Sequence, residues 1–130
     1  MILDSNIVIY AFEPKYRESS LEDFLLQGEF SVSNVTRLEV MGYWRNSDAE
    51  FRRFELFFDA THVLDVSFEI IDRAIQLRRQ RSMGLADAMI AATALIHQLP
   101  LVTHNTRDFQ WISELALIDP LAGQPMSLES

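Results

Sequence analysis

A chain of 130 residues that is 48% apolar is long enough for one domain with a single core. It has no cysteine, and its three histidines, His62, His97 and His104, lack zinc-type spacing. Disulfides and thiolate sites are therefore excluded, and any bound metal must take oxygen ligands, which suits Mg²⁺ or Mn²⁺.

The net charge of −8 argues against broad electrostatic attraction to nucleic acid, yet it is compatible with acids gathered around a metal. The positive charge is almost all arginine, with Lys15 the one lysine. Arginine suits phosphate because its planar fork binds two oxygens at once. No basic apolar leader and no apolar run of spanning length is present, so the expectation is a cytoplasmic protein with no membrane partner.

Taken in chain order, an apolar pair runs into Asp4, which gives a strand over residues 2–4. The turn Ser5–Asn6 leads into an apolar segment over 7–12. A helix start is expected at Ser20, before Phe24, Leu25 and Leu26. A second strand is predicted over 30–33. Thr36 and Glu39 have the spacing of a capping box. Asp48 is placed to cap a helix whose stripe is Phe51, Phe54, Phe57 and Phe58. A third strand over 63–66 precedes a helix over 68–81, with Ile71, Ala74, Ile75 and Arg78 at helical spacing. Residues 85–97 are rich in alanine and carry Ala86, Ile90 and Ala94 on one stripe. Strands follow at 101–103 and 116–118. Strands alternating with helices predict an α/β fold, one domain over 1–121 with a mainly parallel sheet covered on both faces. Residues 122–130 form a loosely ordered tail.

Four acids stand out. Asp4 ends the first strand, where ligands bind in open α/β sheets, although Asp4 or Asn6 would also cap the next helix. Glu39, just after the second strand, is accounted for equally by its capping box. Asp87 opens the alanine-rich helix, where it meets the positive end of the helix dipole. It also lies in a small-sided apolar run, where a buried charge needs a partner. Asp108 follows the fourth strand and would cap a short helix containing Trp111 and Ile112. Thr103 is placed to hydrogen-bond a neighbouring carboxylate, and Asn105 is a polar candidate in the same loop. His104 reads as a surface loop residue. Two unit charges ~4 Å apart repel by ~4 kcal/mol at an effective dielectric of ~20, so gathered acids call for a divalent ion. Two other readings stay open: a binding module without catalysis, and a receiver-type domain phosphorylated on Asp4, for which Lys15 would have to hold the phosphoryl charge.

Leu3–Asp4–Ser5–Asn6, Glu39 after the second strand, the run Leu85 to Ala94 around Asp87, and Leu101 to Phe109 around Asp108 stand in this order and near this spacing. In these blocks, which span nearly the whole chain, the sequence resembles the PIN-domain family, most closely the VapC-type toxins of bacterial type II toxin–antitoxin systems. The resemblance implies a three-layer α/β/α sandwich with a five-stranded sheet in the order 3-2-1-4-5. It implies RNA cleavage with Mg²⁺, or Mn²⁺, at Asp4, Glu39, Asp87 and Asp108, with Ser5, Asn6, Thr103 and Asn105 as supporting polar groups. Asp4 and Asp87 are the expected direct or water-mediated ligands, Glu39 the group that orients or deprotonates the attacking water, and Asp108 the holder of a second ion or an outer water. Arg45, Arg81 or Arg107 would guide the RNA. The implied partners are an antitoxin that places a cationic side chain among the acids and a second copy of the chain, for which Phe51, Phe54 and Phe58 offer an apolar face unless the core uses them.

Overall fold

The computed structural model describes residues 1–14 and 20–123; Lys15 and residues 124–130 of the expected tail lie outside them. Strand β1 (Ile2–Leu3) leads into α1 (Ser5–Ala11); α2 (Ser20–Gln27) precedes β2 (Ser31–Ser33) and α3 (Asn34–Met41). Then come α4 (Asp48–Asp59), β3 (His62–Leu64), α5 (Phe68–Gln80), α6 (Leu85–His97), β4 (Leu101–Val102), α7 (Thr106–Phe109) and β5 (Leu117–Ile118).

The five strands form one sheet in the order β3-β2-β1-β4-β5, and every neighbouring pair is parallel. This is the expected three-layer topology. Ile2 lies opposite Ser31 on one side and Leu101 on the other, so β1 is central. The order of strands reverses between β1 and β4, and that switch point opens a crevice at the carboxyl ends of the strands.

Two cores fill the two faces, because successive strand residues point to opposite sides. Ile2 and Leu101 join Ile70, Ala74, Leu77 and the α6 residues Ala88, Ile90, Ala91 and Ala94 on one face. Leu3, Val32 and Val102 join Ile7, Val8, Tyr10, Val40, Phe54 and Phe58 on the other. Helix α6 is buried at six positions between Ala88 and Ala94. It is wedged against both α5 and the sheet, which is why its sequence shows so little of a polar face.

Several local expectations need correction. The inward stripe of α5 is Ile70, Ala74 and Leu77, while Ile71, Ile75 and Arg78 face solvent. Both sets have helical spacing, and docking against α6 selects the first. The cap of α4 is Ser47 rather than Asp48: Ser47 and Glu50 bond reciprocally as a capping box, and Asp48 is the first helical residue. Thr36 and Glu39 form no capping box, because Ser33 caps α3 three residues earlier, its hydroxyl accepting from Val35 N at 3.1 Å. Phe54 and Phe58 are consumed by the core, which leaves Phe51 exposed by itself on that stripe.

Candidate active site

Asp4 stands where β1 meets α1, and both of its expected roles are realised by different atoms. Its backbone N–H still belongs to the sheet and donates to Val102 O at 2.9 Å. Its side chain caps α1: Oδ1 accepts from Ser5 N at 2.8 Å. The second oxygen, Oδ2, accepts from the Thr103 hydroxyl at 2.8 Å, and that hydroxyl in turn accepts from Asn105 N at 3.0 Å. Thr103, at the end of β4, thus ties the switch point together from the opposite strand. Asp4 is only 4% exposed. Burial raises its pKa to about 6; the Thr103 hydrogen bond opposes the rise, and the charges of Asp87 and Glu39 add to it.

Glu39 lies in the second turn of α3, further along than a first-turn capping residue. Ser5 reaches across from α1 and donates to Glu39 Oε1 at 2.6 Å, while its oxygen lies 3.1 Å from the Thr36 hydroxyl. Thr36, expected as a cap, is fully buried and braces this contact instead. Glu39 as a residue is exposed.

Asp87 is the third residue of α6, half-buried, in the helix's first turn as expected. Burial raises its pKa, and the charges of Asp108 and Glu39 raise it further. Asp108 lies in the first turn of α7 and is exposed; Asn105 occupies the cap position of that helix, and Trp111 and Ile112 come after its end. Asn6 is half-buried in the first turn of α1. The four acids therefore form one electrostatic group: Asp4 responds to Asp87 and Glu39, and Asp87 to Glu39 and Asp108.

Among the described residues the group lacks a counter-charge. Among the described residues the ion pairs are Arg52–Glu55, Arg73–Glu114 and His104–Asp119, and none involves the four acids. Arg45 lies over Trp44 and Arg81 over Trp111, while Arg107 is exposed on α7. No three His, Asp or Glu side chains among the described residues converge tightly enough to cage an ion. An all-oxygen site of like charges with a buried carboxylate of raised pKa fits a hard divalent ion held by one or two carboxylates, with waters completing its shell.

The fold supplies one support that the sequence concealed. His104 is buried, 3% exposed, rather than on the surface. Its Nδ1 lies 2.9 and 3.1 Å from the two oxygens of Asp119 beyond β5, and Oδ1 of Asp119 also accepts from Leu121 N. This pair fastens the loop that carries Thr103, Asn105 and Asp108. The partner is fifteen residues away, so no local pattern could announce it.

A PIN domain matches residues 1–115. The chain belongs to the PIN-domain family. Among its relatives is the tRNA(fMet)-specific endonuclease VapC of Shigella flexneri, 30% identical over 126 residues and covering 91% of this chain and 96% of that protein. Ribonuclease VapC1 of Haemophilus influenzae strain R2866 is 31% identical over 124 residues, covering 88% and 92%. A toxin–antitoxin complex from Klebsiella pneumoniae contains a chain of similar fold, with a TM-score of 0.76, 29% identity and coverage of 92% and 96%. VapBC-1 from nontypeable Haemophilus influenzae matches with a TM-score of 0.76 at 27% identity, with the same coverage. As a PIN domain the chain has no place for a receiver-type reading, and the burial of Asp4 beneath two hydrogen bonds argues the same way. Among the described residues no helix is long and apolar enough to cross a membrane.

Proposed function

We propose that the chain is a metal-dependent endoribonuclease and the toxin of a toxin–antitoxin pair, working in the cytoplasm. The observation that carries the reading is the four-acid group, without an ion-pair partner among the described residues, at the switch point of a fold shared with VapC ribonucleases. Asp4 and Asp87, the two acids whose pKa values are raised, are the residues that would hold Mg²⁺ or Mn²⁺. Such an ion supplies charge neutralisation for the phosphodiester and acidity for the attacking water.

The chain's own groups do the rest. Thr103 and the Ser5 N–H fix both oxygens of Asp4, so its lone pairs are aimed before any ligand arrives. Ser5 holds Glu39 by Oε1, which leaves Oε2 to orient a water and take its proton. Asp108, exposed at the rim, is suited to an outer water or a second ion.

The same charge recommends an antitoxin that inserts a guanidinium among the acids, since a bidentate pair there would replace the metal. A second copy is the companion expectation. Its apolar face is better supplied by Ile71, Ile75 and Leu85 on α5 and α6, all exposed, than by the phenylalanine stripe that the core has taken.

The direct experiment incubates the purified protein with structured RNAs in Mg²⁺, Mn²⁺ or chelator. Cleavage in metal and none in chelator is expected; metal-independent cleavage, or no cleavage by folded protein, removes the nuclease reading. Co-expression with the product of the adjacent gene tests the partner. Absence of co-purification, together with no growth defect from this chain alone, removes the toxin reading and leaves the nuclease standing.

A further inference from the structure

The turn that follows α3 displays Trp44 at 82% exposure, with Tyr43 and Leu38 also open to solvent. Burying an indole is among the larger gains open to a folding chain, so an aromatic left outside is informative when the backbone beneath it is rigid. Here it is. Gly42 closes α3 where any Cβ would stand 2.5 Å from Leu38 O, so a bulkier residue would push the turn open. Asn46 N donates to Tyr43 O at 3.1 Å, and Asn46 Nδ2 donates to Val40 O at 2.9 Å. The capping box of Ser47 and Glu50 fixes the exit. Trp44 and Arg45 are the two central residues of this braced turn, and the Arg45 guanidinium lies 5.0 Å over the indole. Among the described residues Arg45 forms no ion pair.

We propose that this turn is a stacking subsite for single-stranded RNA, in which an unpaired base lies on Trp44 and the adjoining phosphate meets Arg45. The proposal rests on the ribonuclease reading and adds where the strand runs after it leaves the acids. Glu39 and the turn belong to one helix and its exit. The helical rise from Glu39 to Met41 adds about 3 Å along the axis, and the three further residues to Trp44 add at most roughly 10 Å. A short stretch of RNA bridges that span. An aromatic followed by a cation matches the base–phosphate alternation of a single strand, and a stack accepts any base because each has a π-face. Arg45 supplies local positive charge beside a site whose acids, without metal, repel the backbone.

The test uses the full chain carrying Asp4→Asn, so that RNA is bound without being cut, and a short unstructured oligoadenylate as probe. Adding Trp44→Ala is expected to weaken binding about tenfold, as loss of one stack does, while Trp44→Phe keeps most of the affinity. Arg45→Ala should lower the slope of log affinity against log salt by about one. Phe68→Ala, which removes another exposed ring on α5, should change neither. In the chain with its acids intact, the Trp44→Ala loss should appear in KM rather than in kcat, at unchanged melting temperature. Equal RNA affinity with and without Trp44, in a protein that still cleaves RNA in metal, overturns the subsite and leaves the nuclease reading intact. Loss of antitoxin binding with RNA affinity unchanged overturns it in favour of a protein-docking surface. If the wild type neither binds nor cuts RNA, both readings fall.

Discussion

The two ends of the sheet hold polar groups in opposite conditions. At the amino ends, a cavity of about 590 Å³ opens beside Met1, Ser31, Thr61 and His62. Three of its polar groups have partners: Ser31 and His62 are in register on adjacent strands with their side chains 3.0 Å apart, and Thr61 donates to Phe57 O at 2.6 Å. At the carboxyl ends the acids raise one another's pKa instead. A buried carboxylate is held above its ordinary pKa, Asp87 and Glu39 push it further up, Asp108 acts in turn on Asp87, and among the described residues no ion pair answers the four acids. Chemistry is better located by unpaid electrostatic cost than by empty volume, because structure that exists only to be stable would not retain such a cost. Strand direction explains the asymmetry: in a parallel sheet the carboxyl ends lead into helix amino ends, where carboxylates are best tolerated.

Substitution should separate the ends most strongly in activity. Asp87→Asn or Asp4→Asn is expected to lower cleavage in Mg²⁺ by about a hundred- to a thousand-fold, since a lost metal anchor forfeits several kcal/mol of transition-state stabilisation. His62→Ala, at the other end, should leave the rate within about twofold. Comparable losses at both ends would dissolve the contrast.

The next effect is on stability. The Asp4 carboxyl is raised from 3.8 to about 6 in the fold, so the native state favours its neutral form. The stability this contributes is complete below about pH 3.8 and is lost as pH rises through about 6, a swing of roughly 3 kcal/mol. Asp4→Asn should therefore melt several degrees above wild type at about pH 7.5 in chelator, and the gap should shrink at about pH 5. If the variant melts below wild type at both values, the capping role of Asp4 outweighs its charge.

A smaller change should follow Thr103→Val. Losing the hydroxyl removes the main interaction that holds the Asp4 pKa down, so the acid limb of the pH–rate profile should move to higher pH and the rate near neutrality should fall about tenfold. An unmoved limb would show that Thr103 only braces the loop. Smallest of all, Ser47→Ala should cost about 1 kcal/mol through the lost α4 cap and leave the chemical step alone.

Much of this arrangement was legible before the fold. Asp4, Asp87 and Asp108 advertise themselves because each sits where an apolar strand or helix begins or ends, and those junctions are set by periodicity. Thr103 was readable for the same reason. The failures share another cause, which is that local patterns offered two solutions and tertiary contacts picked between them. Ser33 and Thr36 could each cap α3, and the Ser5–Glu39 contact from α1 needed Thr36 inside. Two stripes were available on α5, and α6 chose the one with Leu77. His104 was misplaced because Asp119, its partner, comes from the far side of β5. Such long-range polar pairs have no period and leave no trace in a window of sequence.

If the four acids, which have no ion-pair partner among the described residues, form a site for a divalent ion, that ion should bind without substrate. Mn²⁺ binding followed by electron paramagnetic resonance, on wild type, Asp4→Asn and Asp87→Asn at about pH 7.5, addresses it without depending on substrate. Saturable binding of Mn²⁺ that keeps most of its waters is expected in the wild type, with at least about tenfold weaker binding in both variants. Equal Mn²⁺ affinity in all three proteins would contradict it.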